Sequence, residues 1–472
     1  MRLQNFVLPN EICDTEELYF RHHGQVKIDG GEIILSPGSS LTTDTYFNLF
    51  DAYTWEKYTG LDHFEYCIRF QGQAVATLIF LNETGIEKEI WKKEFKGKTS
   101  EELPFYSDGE RGYYYLNICA VTEFKIYELS IHSRKLIEKD VCIGINICTY
   151  KREQQLRSNL RKLVTSDFFD ENSPLFGKVR ICVVDNASEL RDENMTFVKV
   201  VHNKNTGGSG GFTRGITELK KEEGISHMVF MDDDVEFLME TFYRLYAFLS
   251  YLTEELEDMV VAGRMFRMDE RRIQYTAAEK WNSGEISHVG FQKDMTLKEN
   301  LKRINDSCDA EYTGWWLGCF SMKFVRNNMP LPFFLHCDDV EYGLRHGGIP
   351  VILNGIQVWH ETYEYRQNRV ITYYDLRNRY IVNDLYDLWR DKAEPVEQWK
   401  EWITKAHLKE DYQKEYMLIQ AFLDYTKGVK WLKKIDSGRY HKWLLKSKAN
   451  RVKTALLWRV AEVKYQYKLY EK

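Results

Sequence analysis

One stretch decides the fold of this chain: His227-Met228-Val229-Phe230-Met231-Asp232-Asp233-Asp234-Val235-Glu236. Its four apolar residues, Met228 to Met231, form a continuous run. Such a run predicts a strand covered on both faces, as in a parallel sheet. The strand would carry the three aspartates to the carboxyl edge of the sheet, where open α/β sheets bind ligands. Adjacent carboxylates repel one another, and their hard oxygen atoms suit Mg²⁺ or Mn²⁺, which often bridge to phosphate groups. A solvated acidic turn or a helix N-cap explains the triplet alone equally well, but its place after a buried strand favours a metal and diphosphate site.

Apolar runs alternate with helical stretches on both sides of this strand. The predicted strands are Val141–Cys148, Val179–Val184, Val198–His202, Met259–Gly263 and Pro350–Val358. This alternation predicts a parallel sheet with right-handed crossovers. His360 follows the last of these strands, and a histidine at the carboxyl end of a strand, in a sheet that carries acids there, is a fair metal ligand.

A glycine-rich stretch, Asn205–Gly215, is predicted as a loop before a helix that runs to about Glu223. Glycine allows the backbone to approach a ligand closely, so its N–H groups could face a phosphate or a sugar at a helix N-terminus. The stretch lacks the G-x-G-x-x-G pattern and follows the third strand, which disfavours a dinucleotide site. A flexible hinge is the alternative interpretation.

Three acids, Asp338, Asp339 and Glu341, follow a run of aromatic residues. Aromatic neighbours can raise a carboxyl pKa by desolvation and keep a general base near neutral pH. A helix N-cap would explain one aspartate but not three acids. The adjacent Trp315 and Trp316 point in different directions, so we do not expect both in the core, and one could stack on a sugar.

The first 137 residues are predicted to form an all-β sandwich, because short alternating strands are separated by Gly, Asn and Asp turns. Its aromatic connection, Thr45–Trp55, suits either sugar rings or a hydrophobic plug against the next domain. Residues 138–385 are predicted as the α/β domain and residues 386–472 as a basic helical region.

The composition indicates a globular chain with room for two or three domains, since 43% of its 472 residues are hydrophobic and only 8 are proline. The nine cysteines follow no metal-binding spacing, which indicates a reducing cytosol. No run approaches the 18 apolar residues of a membrane span.

The charge is unevenly distributed along the chain. Lys427–Lys472 holds 14 Lys and Arg against 3 acidic residues, a charge of +11, so the remainder carries −17 of the total of −6. An apolar stripe at helical spacing runs through Leu445, Val452, Leu456, Val460, Val463 and Tyr467. These features favour a helix at an anionic membrane surface. Packing on the acidic body of the protein is the alternative, and nucleic acid is disfavoured because no binding motif accompanies the charge.

Taken in order, the motifs resemble those of inverting family 2 glycosyltransferases of the GT-A fold, in particular bacterial galactofuranosyltransferases of cell-surface galactan synthesis. The motifs, which cover about residues 141–380, are Thr149-Tyr-Lys-Arg152, Val-Val-Asp185-Asn-Ala-Ser, the glycine-rich stretch, the Asp triplet, Trp315-Trp316, Asp338-Asp-Val-Glu-Tyr-Gly and Trp359-His360.

The resemblance implies a role for each matching residue. It implies Asp339 as the general base, and Asp232, Asp234 and His360 as ligands of Mn²⁺ or Mg²⁺. The implied nucleotide and donor residues are Thr149, Arg152, Asp185, Gly207, Gly208, Ser209 and Asp233. The implied acceptor residues are Trp315, Trp316, Asp338 and Glu341.

The resemblance further implies transfer of galactofuranose from UDP-galactofuranose to a glycan or glycolipid acceptor. We expect a cytoplasmic protein on the inner face of the membrane, and a homo-oligomer is possible. Two alternatives stay open: transfer of another sugar, such as rhamnose or galactopyranose, and a non-catalytic glycan-binding protein. The intact acids and His360 argue against the second.

Overall fold

A computed structural model describes residues 1–191, 197–362 and 369–470. The first sheet comprises β1 (Arg2–Asn5), β2 (Arg21–His23), β3 (Val26–Asp29), β4 (Glu32–Leu35), β5 (Ser40–Thr42), β6 (His63–Asn82), β7 (Glu87–Tyr106), β8 (Gly112–Ala120) and β9 (Phe124–His132). One helix, α1 (Ala52–Thr59), lies between β5 and β6. All pairs in this sheet are antiparallel, as predicted for an all-β unit.

This sheet folds back on itself along its two longest strands. β6 and β7 have 20 residues each, whereas only short strands were predicted. Phe105 pairs with Phe64 near one end of β6, and Tyr114 pairs with Phe80 near the other end. A straight strand would separate these ends by roughly 50 Å, yet the rings of Phe105 and Tyr114 are 4.9 Å apart. The sheet therefore forms two facing layers, bent near Gly72, whose φ is +115°.

The aromatic connection forms the hydrophobic plug rather than an open sugar platform. Tyr46, Phe47 and Trp55 are buried. The Tyr46 ring lies 5.0 Å from Phe266, and Trp55 lies 5.4 Å from Phe248. Because Phe266 and Phe248 belong to the second part of the chain, one apolar core joins the two parts.

The second part is built on a mixed sheet with helices on both faces. Its strands are β10 (Ile143–Thr149), β11 (Val179–Asp185), β12 (Val198–His202), β13 (His227–Asp232), β14 (Val261–Arg267), β15 (Ile273–Thr276), β18 (Lys293–Asp294), β19 (Leu317–Ser321) and β20 (Val351–His360), and a separate hairpin holds β16 (Glu279–Asn282) and β17 (Glu285–His288). The helices are α2 (Glu153–Val164), α3 (Gly207–Leu219), α4 (Glu240–Tyr251), α5 (Met322–Asn327), α6 (Asp338–His346) and α7 (Arg369–Leu385).

The expectation of a parallel sheet is wrong at two strands, since β15 is antiparallel to β14 and β19 is antiparallel to both of its neighbours. β12, β11, β10 and β13 are parallel neighbours, but β19 lies antiparallel between β13 and β14. A short apolar strand covered on both faces has the same residue pattern in either direction, so only the chain connection sets its orientation. The parallel strands still end at one edge, where Thr149 pairs with Asp185 and Cys148 with Asp232.

The glycine-rich stretch is the start of a helix and not a loop, which corrects the predicted boundary. α3 begins at Gly207 and ends at Leu219. A Cβ on Gly211 would lie 2.1 Å from Cys148 Sγ, and one on Gly215 would lie 1.8 Å from Asn146 Oδ1. Glycine is therefore needed here because α3 packs closely against β10.

The C-terminal part is helical, with α8 (Glu394–Leu408), α9 (Tyr412–Thr426), α10 (Gly428–Leu432), α11 (Ser437–Lys446) and α12 (Arg451–Tyr470). Ala461 and Tyr465 of α12 are buried in a second core, while Leu456 and Val463 are 64% and 55% exposed. α12 therefore packs on the protein with one face and leaves Val452, Leu456, Val460 and Val463 of the predicted stripe open. Leu445 belongs to α11, so the stripe does not lie on a single helix as predicted, and the Tyr467 side chain lies outside the described residues. Among the described helices, none is long and apolar enough to cross a membrane.

The division at residues 137/138 and 385/386 stays a proposal. The first point falls between β9 and β10, and the second falls at the end of α7.

Candidate active site

The three predicted metal ligands meet at the carboxyl edge of the sheet. Asp232 ends β13 and His360 ends β20. His360 Nε2 lies 3.1 Å from Asp234 Oδ1 and 3.7 Å from Asp232 Oδ2, and one ligand atom of each residue lies within 4.8 Å of the others. A backbone bridge between Glu236 and Trp359 aligns the two segments. His360 is buried, whereas the Asp232 side chain is 34% exposed, so the cluster opens toward solvent on one side.

This donor set fits a divalent metal ion. Two carboxylate oxygens and one imidazole nitrogen suit Mn²⁺ or Mg²⁺, and the exposed side leaves positions for other ligands. The set does not discriminate between the two ions.

The middle aspartate faces away from the cluster. Asp233 is buried and accepts hydrogen bonds from Thr149 Oγ1 at 2.6 Å and from Arg152 Nη1 at 2.9 Å. Burial raises the pKa of Asp233, although the Arg152 charge opposes the rise. Arg152 also lies 3.1 Å from Asp234 Oδ2. Three of the implied donor residues thus lie together beside the metal cluster.

Asp185 lies at the same edge, at the end of β11, but its carboxylate binds backbone N–H groups of the loop that follows this strand. Its oxygens accept hydrogen bonds from the backbone N–H of Ala187 at 2.9 Å and of Leu190 at 2.8 Å. Burial would raise the pKa of Asp185, yet these backbone donors outweigh it and the pKa is lowered. The implied contact with uridine stays a prediction.

The start of α3 packs against the segment that leads to the acid pair. Gly207 has a φ of +75°, and a Cβ there would lie 2.0 Å from the Phe334 carbonyl oxygen. Ser209 Oγ accepts a hydrogen bond from the Phe334 N–H at 2.7 Å. A Cβ on Gly208 would lie 3.8 Å from Asp338 Oδ2. The implied donor residues of α3 therefore lie next to the acid pair.

The acid pair opens α6 after a strained segment. Phe334, His336 and Cys337 have φ values of +77°, +62° and +65°, each at a cost of about 1–3 kcal/mol. Burial raises the pKa of Asp338 to about 6. Burial, and then the Asp338 charge, raise the pKa of Asp339 well above its usual value. Asp339 is thus more basic than an ordinary aspartate, as a general base near neutral pH requires.

Two ionisable pairs near these acids were not predicted from the sequence. Glu279 on β16 is buried, lies 3.0 Å from His288 Nδ1, and adds to the upward pKa shift of Asp339. His336 Nδ1 lies 2.5 Å from Asp375 Oδ1 on α7. Glu279 and His288 face each other across the β16–β17 hairpin, whereas His336 and Asp375 are 39 residues apart, and neither pair forms a recognisable local motif.

Both tryptophans are buried, which corrects the expectation that one of them is outside the core. Trp315 and Trp316 are 4% and 1% exposed. Trp315 stacks on Phe230 at 4.7 Å, and Trp316 Nε1 donates to the Gly263 carbonyl oxygen at 2.7 Å. They do point in opposite directions, but helices and loops cover both faces of the sheet, so each direction leads into a core.

Glu341 is held by other protein groups. Its Oε1 accepts from Arg345 Nε at 3.0 Å and from the Tyr386 hydroxyl at 3.2 Å, while Arg345 Nη2 pairs with Oε2. In this arrangement Glu341 joins α6 to the Tyr386 region, and its implied contact with the acceptor stays a prediction.

Comparison with known proteins agrees with this geometry. The model of glycosyl transferase family 2 matches residues 145–310. Galactofuranosyltransferase GlfT2 of Mycolicibacterium smegmatis (strain ATCC 700084 / mc(2)155) is 23% identical over 423 residues, which is 80% of this chain and 63% of that protein. Galactofuranosyltransferase GlfT2 of Mycobacterium tuberculosis (strain ATCC 25618 / H37Rv) is 24% identical over 448 residues, or 85% of this chain and 67% of that protein. The chain thus spans less than two thirds of the length of the first relative.

The matched family implies a GT-A fold, so the predicted class is confirmed for this part of the chain. Residues 145–310 thus match glycosyl transferase family 2, and over most of its length the chain is similar to the two galactofuranosyltransferases.

Proposed function

We propose that the chain moves galactofuranose from UDP-galactofuranose onto a glycan acceptor, with inversion at the anomeric carbon. One observation carries this proposal: the cluster of Asp232, Asp234 and His360 lies at the same site as the paired carboxylates Asp338 and Asp339. The Asp232 charge contributes to the raised pKa of Asp339, so the two groups are close. Donor binding at one group and proton transfer at the other fit a single displacement. The choice of galactofuranose rests on the similarity to the two relatives.

The acid pair performs the proton transfer. An acceptor hydroxyl gives its proton to the Asp339 carboxylate while its oxygen attacks the anomeric carbon. The bond from that carbon to the diphosphate oxygen breaks, and UDP leaves with the electron pair. One displacement inverts the centre and gives a β-linkage from a UDP-α-sugar.

Asp232, Asp234 and His360 would hold Mn²⁺ or Mg²⁺. When bound, the ion would neutralise the negative charge that develops on the diphosphate. Arg152, which pairs with Asp233 and Asp234, adds a fixed positive charge at the same edge.

The donor side is formed by the edge residues described above. We assign it to Thr149, Arg152, Asp185, Gly207, Gly208, Ser209 and Asp233. Ser209 and Asp233 form hydrogen bonds with other protein groups, so their role would be to stabilise the shape of this edge.

The acceptor side is assigned to Asp338, Glu341, Trp315 and Trp316. Trp315 Nε1 is a buried donor without a hydrogen-bond partner in the described part of the chain. Because the Trp315 ring is packed in the core, it would shape the acceptor side through its contact with Phe230. Glu341 and Trp316 would act through their protein contacts.

A panel of UDP- and dTDP-sugars, with release of the nucleotide as the readout, tests this proposal. Metal-dependent UDP release with UDP-galactofuranose, stimulated by a galactan oligosaccharide, is expected. Preference for a rhamnose or galactopyranose donor would replace the sugar in the proposal. Glycan binding without turnover of any donor would support the non-catalytic alternative.

We further propose that α12 docks the protein on an anionic membrane surface. Its open face holds Val452, Leu456, Val460 and Val463, all exposed. Arg451, Arg459 and Lys464 belong to the same helix and would face the headgroups. Each basic residue near such a surface contributes about 1 kcal/mol.

A further inference from the structure

A large groove lies between the α/β domain and the C-terminal helices, outside the site described above. Its volume is about 880 Å³, which is within the range of ligand pockets. Its walls come from α7, α8, α9 and the turn between α8 and α9. The lining residues are Arg369, Ile371, Thr372, Asp375, Arg379, Trp402, Lys405, Ala406, Lys409, Glu410, Asp411, Lys414 and Leu418.

The groove is rich in positive charge. Five of its lining residues are basic and three are acidic. Two of the acids are already paired, since Asp411 lies 3.1 Å from Arg369 of the same wall and Asp375 lies 2.5 Å from His336, which does not line the groove. Lys405 pairs with Glu401, outside the lining.

Three cations in the groove have no ion-pair partner among the described residues: Arg379, Lys409 and Lys414. They come from α7, the α8–α9 turn and α9, so they surround the cavity. Cations from separate elements around one space suit a ligand with more than one negative charge, such as a phosphate or diphosphate. Trp402 in the same wall is half-buried and offers an aromatic face to a sugar ring or an alkyl chain.

The groove adjoins the acid pair. Asp375 lines it and bonds His336, which is two residues before Asp338. Burial raises the pKa of the Cys337 thiol, and the positive charge of Arg379 opposes that rise. Arg379 is therefore close enough to interact with Cys337, the residue before Asp338. A molecule in the groove would therefore lie next to the segment that carries the acid pair.

We propose that this groove binds a phosphate or diphosphate group carried by the acceptor. The inference rests on the proposed function, because it presupposes a glycan acceptor at Asp339. The groove holds the charged end of the acceptor and Trp402 contacts the adjoining sugar or chain, which places the reacting hydroxyl at the acid pair.

Two acceptors that differ only in a diphosphate ester test the proposal. The variant is Lys409→Gln with Lys414→Gln, and both lysines are exposed, so the fold is retained. The control is Lys400→Gln on α8, which pairs with Glu462 of α12 and does not line the groove. Wild type should show a KM for the charged acceptor at least about tenfold below that for the neutral one. The double variant should lose most of this difference, with kcat for the neutral acceptor unchanged, and the control should keep it.

Equal KM values for the two acceptors in wild type, or an unchanged ratio in the double variant, would overturn the proposal. Inorganic pyrophosphate should compete with the charged acceptor in wild type and much less in the double variant. Pyrophosphate binding without any difference between the acceptors would identify a free anion as the ligand and overturn the acceptor assignment. Calorimetric binding of both acceptors to the full chain in EDTA needs no turnover. It therefore tests the groove even if the protein turns over none of the donors. Absence of turnover by itself would refute only the proposed function.

Discussion

Replacing Asp338 by asparagine tests how the acid pair sets the basicity of Asp339. The change keeps the shape of the side chain and removes one negative charge. Burial and the Asp338 charge are the two largest causes of the raised pKa of Asp339. A base works only when it is ionised, so kcat/KM rises as the pH rises through this pKa. Asp338→Asn should therefore move the acid limb of the profile to lower pH.

The size of the shift follows from Coulomb's law. Two unit charges about 6 Å apart repel by about 3 kcal/mol at an effective dielectric constant of about 20. One pKa unit corresponds to about 1.36 kcal/mol, so complete removal of the repulsion lowers the pKa by about 2. Since both side chains are partly open to solvent, we expect a shift of about 1–2 pH units.

Initial rates of UDP release, measured across the acid limb at saturating metal, provide the assay. Glu285→Gln is the matched control, because it removes the same charge from an exposed side chain at the start of β17. A limb that stays in place, or moves to higher pH, would refute the proposed coupling between the two aspartates. The test uses the position of the acid limb and not the absolute rate of Asp338→Asn, because Asp338 is also assigned to the acceptor side and its loss would lower the rate by itself.

Stability gives a second readout that needs no substrate. The folded-state pKa of Asp338, about 6, lies above its ordinary value of 3.8. The folded protein therefore binds this proton more tightly than the unfolded chain does, and stability is lost as the pH rises through this window. Asp338→Asn should raise the thermal unfolding midpoint at about pH 8 and leave it nearly unchanged below about pH 4.

Four further predictions concern the base, the metal, α3 and α12. Asp339→Asn should retain UDP binding and lower kcat by about 10²–10⁴-fold; turnover within a few-fold of wild type would exclude Asp339 as the base. Asp234→Ala should abolish Mn²⁺-dependent UDP binding in calorimetry, and full activity of wild type in excess EDTA would contradict the metal site. Gly215→Ala should lower the free energy of unfolding in urea by about 1–3 kcal/mol, because its Cβ would overlap Asn146; an unchanged midpoint would mean that α3 can move away. Leu456→Ser with Val463→Ser should weaken binding to anionic vesicles at least about tenfold, and unchanged sedimentation with vesicles would exclude docking through this face.

The sequence by itself determined the class of the central domain and the place of its site. The apolar run before Asp232 and the alternation around it were enough to predict the sheet, because burial on both faces requires continuous apolar residues. Carboxyl ends of parallel strands share one edge, which accounts for the meeting of Asp232, Asp234 and His360 across more than 120 residues of chain.

Only the tertiary structure decided which groups surround these residues. Residue pattern assigns a side chain to a face of a strand or helix, but it does not identify the element that covers that face. For this reason the antiparallel strand β19 was not predicted, one tryptophan was expected outside the core, and the glycines that begin α3 were predicted as a loop. The pair His336–Asp375 and the groove beside Arg379 have the same origin, because they arise from packing between different elements, which local sequence does not encode.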